Sequence, residues 1–267
     1  MKYAHVNQRR MNGTVLLTGA SSGIGKSMAR ILAKDGWDLI IVGRNRKGLD
    51  DLSDELSNVK VTVIESDLSK DGAAQSLFEE TERQGLKVDF LINCAGFGDL
   101  GLFSECDVDK QIDMIHVNDV SLTVLTRLYV TGMIERGSGR ILNVASIASF
   151  QPGPLMSVYY ASKAYVLSFS EALAVELKGT GVTVSALCPG PTDTAFIETA
   201  GAGGKNLFKK AACASADDVA ACGIKKALKG KVIILPGSLK LLPFAERFFP
   251  RAFVRKVVYF IQSRPAT

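Results

Sequence analysis

No apolar run in the chain approaches the roughly 18 residues that cross a bilayer, and the opening MKYAHVNQRR is too polar for a signal peptide, so a soluble, cytoplasmic protein is expected. Cysteine is sparse and unpatterned. Cys94, Cys106, Cys188, Cys213 and Cys222 are odd in number, and no two stand as C-x-x-C. Neither a disulfide framework nor a zinc site is suggested, and no metal is expected. Disorder and low-complexity scaffolds are excluded by a composition that is 47% hydrophobic and 22% charged, near the globular average.

The net charge of +5 is local. Between residues 240 and 264 stand Lys240, Arg247, Arg251, Arg255, Lys256 and Arg264 against Glu246 alone, and the remaining charges balance at 26 to 26. A nucleic-acid surface, which needs basic residues over a whole face, is not expected.

From Gly13 onward, short apolar runs alternate with longer helical patterns. VLLTG, WDLIIVG, VKVTVIE, VDFLIN, RILNVAS, VTVSALCPG and KVIILPG read as strands, with a long helix over 109–136 and another over 156–178. The runs are apolar on both faces, as in a parallel sheet covered by helices on each side. The expected fold class is α/β, a single doubly wound domain over 1–267 with a seven-stranded, mostly parallel sheet. An N-terminal arm occupies 1–12, an irregular Gly-rich substrate loop 191–215, and a helical extension 238–263.

The first strand ends in TGASSGIGKS, which fits three motifs. As G-x-S-x-G around Ser21 it resembles a nucleophile elbow, but that chemistry needs a histidine late in the sheet order, and His116 falls inside the long helix. As a P-loop ending Gly25-Lys26-Ser27 it needs a later strand that closes with Asp, whereas VDFLIN ends in Asn93 and RILNVAS in Ser146. As a dinucleotide turn, Gly19, Gly23 and Gly25 let backbone approach a pyrophosphate at a helix N-terminus.

Tyr159-x-x-x-Lys163 provides the independent sign. The i, i+4 spacing puts both side chains on one helical face, where a lysine cation is expected to lower the phenol's pKa. Tyr160 competes for the same role, but its i+4 neighbour is Ala164. Ser146, then Asn93, Ala95 and Gly96, then Pro189 and Gly190 end three strands at the edge where such sheets bind ligands.

Taken together, these motifs resemble the short-chain dehydrogenase/reductase family, from Gly13 to about Gly237. That family's T-G-x-x-x-G-x-G matches Thr18 to Gly25, including Ser21, Ser22 and Ile24, and its N-N-A-G stands here as Asn93-Cys94-Ala95-Gly96, a thiol replacing an amide. The resemblance implies a Rossmann fold and hydride transfer between a nicotinamide and a carbonyl or alcohol carbon. Its catalytic tetrad falls on Asn118, Ser146, Tyr159 and Lys163. In that pattern Tyr159 exchanges the proton, Ser146 bonds the same oxygen, Lys163 also bonds the nicotinamide ribose, and Asn118 holds a water that passes protons to the lysine. Asp67 and Leu68 match the adenine contact, and Pro189, Gly190, Thr192 and Thr194 the segment covering the nicotinamide and diphosphate. Each also has a plainer reading: Asn118 as a helix-kink asparagine, Ser146 as a strand-end hydroxyl.

At the end of the second strand, where an NAD enzyme places an acid, the sequence reads Gly43-Arg44, with Arg46 and Lys47 nearby. A guanidinium pairs with a 2′-phosphate that an acid would repel, so NADP(H) is expected over NAD(H), unless Arg44 is an ordinary solvated cation. The implied partner is a lipophilic ketone or 3-oxoacyl substrate, and the implied assembly a homodimer or homotetramer. An NADP-binding regulator of the same fold and a P-loop nucleotide hydrolase are the competing functions. Phe249, Phe253, Val257 and Ile261 follow a four-residue step behind Pro250. Three roles suit this tail: packing on the sheet edge or a dimer partner, capping the substrate pocket, or lying on a membrane surface.

Overall fold

Val15, Leu16 and Leu17 are all fully buried, yet Leu16 packs into one hydrophobic core and its two neighbours into another. Successive strand side chains point to opposite faces, so this first strand must be covered on both sides. The computed structural model describes residues 13–192, 214–237 and 248–263. Seven parallel strands are present: β1 (Thr14–Thr18), β2 (Asp38–Gly43), β3 (Val61–Glu65), β4 (Phe90–Asn93), β5 (Gly139–Val144), β6 (Val182–Leu187) and β7 (Ile233–Ile234). They lie in the order β3-β2-β1-β4-β5-β6-β7.

Helices α1 (Gly23–Lys34) and α2 (Arg46–Glu55) cover one face through Met28, Leu32, Leu49 and Leu52. On the other face lies α3 (Ala73–Arg83), which packs through Leu77. Next in chain order is α4 (Val108–Ile115), followed by α5 (Leu122–Glu135), which adds Leu125, Tyr129 and Met133 to that second core. The long α6 (Ser157–Glu176) lies against β6, and α7 (Ala216–Ala227) returns to the first face beside α1. The last described helix, α8 (Arg251–Gln262), is the one that Pro250 opens. Among the described residues no helix is long and apolar enough to cross a membrane.

One detail departs from the sequence reading, and another settles a point it left open. The helix expected over 109–136 carries a π-helical stretch, His116–Ser121, between α4 and α5. It turns Asn118 and Ser121 inward, where the Ser121 hydroxyl donates to the Leu68 carbonyl at 2.7 Å. In α8 the four-residue step of Phe249, Phe253, Val257 and Ile261 is exposed, and it is Val258 and Gln262 that are buried. The N-terminal arm, residues 193–213 of the substrate loop with Thr194 and Cys213, residues 238–247 of the extension with Lys240 and Arg247, and Arg264 lie outside the described residues.

Candidate active site

The chain reverses direction in the sheet between β1 and β4, and the neighbouring strands' C-terminal ends open there into a cleft of about 370 Å³. Thr18 stitches the two strand ends together. Its Oγ1 accepts the backbone N–H groups of Cys94 at 3.1 Å and Ala95 at 3.0 Å. The chain then turns at Gly19, with φ +69°. A Cβ there would sit 2.8 Å from the Ala95 Cα, so this close approach demands glycine. At the N-terminus of α1 the Ser22 side chain makes no capping bond, and the first turn holds no acid. Its N–H groups therefore keep their affinity for an anion.

Gly19, Ser21, Ser22, Gly23, Ile24 and Gly25 all line the cleft. At one end stand Gly43, Arg44, Asp67 and Leu68. Arg44 is exposed, whereas Arg46 is engaged with both oxygens of Asp50 at 2.9 Å. Burial pushes the Asp67 carboxyl upward, but the Ser69 backbone N–H and hydroxyl, with Lys70 and Arg44 beyond, hold it below the usual carboxylate range. At the other end the lining includes Ala95, Gly96, Ser146, Tyr159, Lys163, Pro189, Gly190 and Thr192.

Ser146 follows β5 and caps a short 3-10 turn, its Oγ accepting the Ala148 N–H at 3.1 Å. Ser149 in that turn donates to the Lys163 carbonyl at 2.6 Å, which ties the turn to α6. The Ser146 hydroxyl also hydrogen-bonds the Tyr159 phenol. One turn along, the buried Lys163 places Nζ 5.9 Å from the Tyr159 ring centroid and donates to the Val144 carbonyl at 2.9 Å. The arrangement sets two hydroxyls and an ammonium around one point of the cleft.

The expected acidification of Tyr159 by Lys163 is not found. Burial pushes the phenol up to about 12, against the Ser146 hydrogen bond. Burial also lowers Lys163 to about 8, against the pull of Asp119 and then Cys94 and Cys188. The low-dielectric surroundings penalise each group's charged form more than their mutual proximity favours it.

Two predicted residues stand behind the cleft instead of lining it. Asn93 is buried and donates to Asn143 Oδ1 at 2.9 Å and to Thr126 Oγ1 at 3.2 Å, so its side chain joins β4 to β5 and α5. Asn118 accepts the Phe97 N–H at 3.2 Å, and its Nδ2 donates to the Phe97 carbonyl at 3.1 Å and to Ser162 at 3.0 Å. Its Oδ1 and the Lys163 Nζ both crowd the space a Cβ on Gly96 would take. Thr194 lies outside the described residues.

Cys94, Phe97, Val117, Met156 and Tyr160 also line the cleft without having been singled out as cofactor or catalytic residues. Met156 and Tyr160 form a hydrophobic cluster with Ala148 and Val258, joined by Leu100, Tyr159 and Val254. Helix α8 thus backs the cleft wall that Met156 and Tyr160 form beside the candidate proton donor. Position i+1 to Tyr159 was the sole signal for Tyr160, and its partners on α8 lie a hundred residues away.

A dinucleotide fits this chemistry. An uncapped, acid-free helix N-terminus lies midway, an exposed cation and a carboxylate held in its ionised form at one end, and a buried lysine with hydroxyls at the other. A family model described as short chain dehydrogenase matches residues 13–203. The chain is 37% identical over 218 residues to sulfoacetaldehyde reductase 2 of Chromohalobacter salexigens, covering 79% of this chain and 86% of that protein. It is 36% identical over 183 residues to the very-long-chain 3-oxoacyl-CoA reductase of Anas platyrhynchos, covering 65% and 58% respectively. Among solved structures, a short-chain dehydrogenase from Sphingobium yanoikuyae in complex with NADPH superposes with a TM-score of 0.78 at 30% identity, covering 84% of this chain and 87% of that one. With a family model matched over residues 13–203 and a 37% identical relative over 79% of its length, this chain belongs to the short-chain dehydrogenase/reductase family of oxidoreductases.

Proposed function

We propose that the chain is an NADP(H)-dependent reductase of a lipophilic ketone or 3-oxoacyl substrate. The meeting of Ser146, Tyr159 and Lys163 in the cleft opened by the glycine turn carries this reading. When bound, the nicotinamide supplies the hydride to the carbonyl carbon. Tyr159, kept protonated through the neutral range by burial, donates its proton to the carbonyl oxygen. The Ser146 hydroxyl bonds that same oxygen as its negative charge grows. Lys163 stabilises the tyrosinate left behind and bonds the ribose hydroxyls, while Asn118 fixes the Phe97 backbone and supports proton supply to the lysine.

In this reading Gly19, Ser21, Ser22, Gly23, Ile24 and Gly25 hold the pyrophosphate. Asp67 and Leu68 meet the adenine, and Ala95, Gly96, Pro189, Gly190, Thr192 and Thr194 flank the nicotinamide end. Arg44 pairs with the 2′-phosphate. That preference is supported by Gly43 standing where an acid would repel the phosphate, and by the NADPH named with the Sphingobium protein. The lipophilic substrate is supported by Leu100, Met156, Val254 and Val258 around Tyr159, and by the name of the Anas relative. Exposed Ile112, Ile115 and Val120 along α4 and the π stretch support assembly into a dimer or tetramer.

Purified protein mixed with a panel of ketones should consume NADPH faster than NADH, followed by absorbance of the reduced nicotinamide. Tyr159→Phe should lower the rate by about 10²- to 10⁴-fold. A Tyr159→Phe protein as active as the parent overturns the assignment, and NADPH binding without turnover of any ketone points to the regulatory protein instead.

A further inference from the structure

Among the described residues, helix α8 packs on its own domain through part of its surface. Val254, Val258 and Gln262 recur every four residues and form the inner line, packed on Met156 and Tyr160 at the substrate end of the cleft. At about 100° per residue, Lys256 falls opposite that line. Around it stand Phe253 at 51% exposure, Phe260 at 55% and Tyr259 at 50%. Phe248, 85% exposed, precedes the helix, and Phe249 packs against Phe253 with ring centroids 5.5 Å apart. Leu102 and Phe103 are exposed on the loop whose Leu100 joins the same cluster as Val254 and Val258, so the apolar rim extends past the helix.

Charge decides what covers this face. Residues 248–263 contain no acid, and of their cations Lys256 stands on this face while Arg251 and Arg255 are exposed along the helix nearer the inner line. A second protein is a poor fit, because the cores of protein interfaces are depleted of lysine, and here a lysine stands in the middle of the rings. A headgroup layer suits the same pattern, since a lysine stem lies along apolar surface while its ammonium reaches phosphate, and aromatic rings settle at that depth.

The geometry points to α8 as an interfacial helix that docks the substrate end of the cleft onto an anionic bilayer surface. Such a helix lies in the interface with its rings at the acyl boundary and its cations among the phosphates, and does not span. Its inner side backs the wall of Met156 and Tyr160 beside Tyr159, so docking sets the cleft where lipophilic molecules are concentrated. The surface does not depend on the reductase reading.

Co-sedimentation with vesicles tests it without cofactor or substrate, so its failure leaves the reductase reading standing, and the reverse. The protein should bind vesicles containing a quarter phosphatidylglycerol much more tightly than vesicles of phosphatidylcholine alone, and raised salt should weaken binding. Phe253→Glu and Lys256→Glu should each reduce binding about tenfold. Both variants should keep the melting temperature and the turnover of a water-soluble ketone. Equal or absent binding to the two vesicle types overturns the proposal. So does duplex DNA binding of equal strength at the same salt, or a dimer, seen by light scattering, that Phe253→Glu dissociates.

Discussion

Gln262, in the last turn of α8, donates its Nε2 to the Tyr160 hydroxyl at 2.6 Å, joining residues 102 apart in the chain. The Tyr160 ring meets the Tyr159 ring edge-on, with centroids 6.0 Å apart. The bond therefore couples the position of α8 to the neighbour of the proposed proton donor.

Gln262→Leu separates positioning from stability. The substitution removes a buried hydrogen bond, a contribution of about 1 kcal/mol. It also removes the Gln262 Oε1, a buried oxygen with no hydrogen-bond partner, which offsets much of that loss. The melting temperature should move little, while KM for a lipophilic ketone rises about fivefold and kcat holds. Tyr160→Phe should raise KM similarly, and the double variant should show no further rise, the signature of coupled neighbours.

Arg44→Asp tests cofactor choice. A charge-assisted pair with the 2′-phosphate is lost and a repulsion gained, so kcat/KM for NADPH should fall about 10- to 100-fold while that for NADH rises. High salt should weaken NADPH use in the parent and, by screening the new repulsion, improve it in the variant.

Asp119→Asn tests the charge on Lys163. Burial lowers the lysine to about 8 and Asp119 pulls it back up, while burial raises Asp119 itself to about 6. If turnover needs the ammonium, activity falls as pH rises through about 8. Without the Asp119 anion the lysine loses its proton more readily, so in the variant this limb moves to lower pH. Below about pH 6 the parent's Asp119 is itself protonated, and the two kcat/KM profiles should converge there. An unmoved limb would remove Lys163 as its origin.

The sheet was legible because parallel strands buried on both faces read as unbroken apolar runs, as VLLT and LIIV do. Tyr159 and Lys163 were legible because four residues is one helical turn. The π stretch at His116–Ser121 left no periodicity of its own, since six residues are too few to establish one. For α8, helix and boundary were readable from Pro250, but not which side packs on the domain. The line of Phe249, Phe253, Val257 and Ile261 is the more apolar in sequence, while the line that packs includes Gln262, whose partner on α6 no local pattern reveals. The direction of the Tyr159 shift was misread for a related reason: spacing reports that a cation is near, not how far the protein excludes water from both groups.

Gly153 carries the last consequence of the Tyr160 placement. A Cβ on this residue would sit 2.2 Å from atoms of the Tyr160 ring, so the ring lies directly on the Gly153 backbone. Gly153→Ala must push the ring outward, against Met156 on one side and away from Gln262 on the other. Overpacking of this kind costs about 1 to 3 kcal/mol, so the melting temperature should fall clearly. Tyr159 keeps its own bond to Ser146 on the adjacent turn of chain, so kcat with a small ketone should change less than threefold, while KM for a lipophilic ketone rises at least as much as in Gln262→Leu. Denaturation melts and paired kinetics with the two ketones check both parts. Equal loss with small and lipophilic ketones would show that Tyr160 supports the proton donor itself and not the substrate wall.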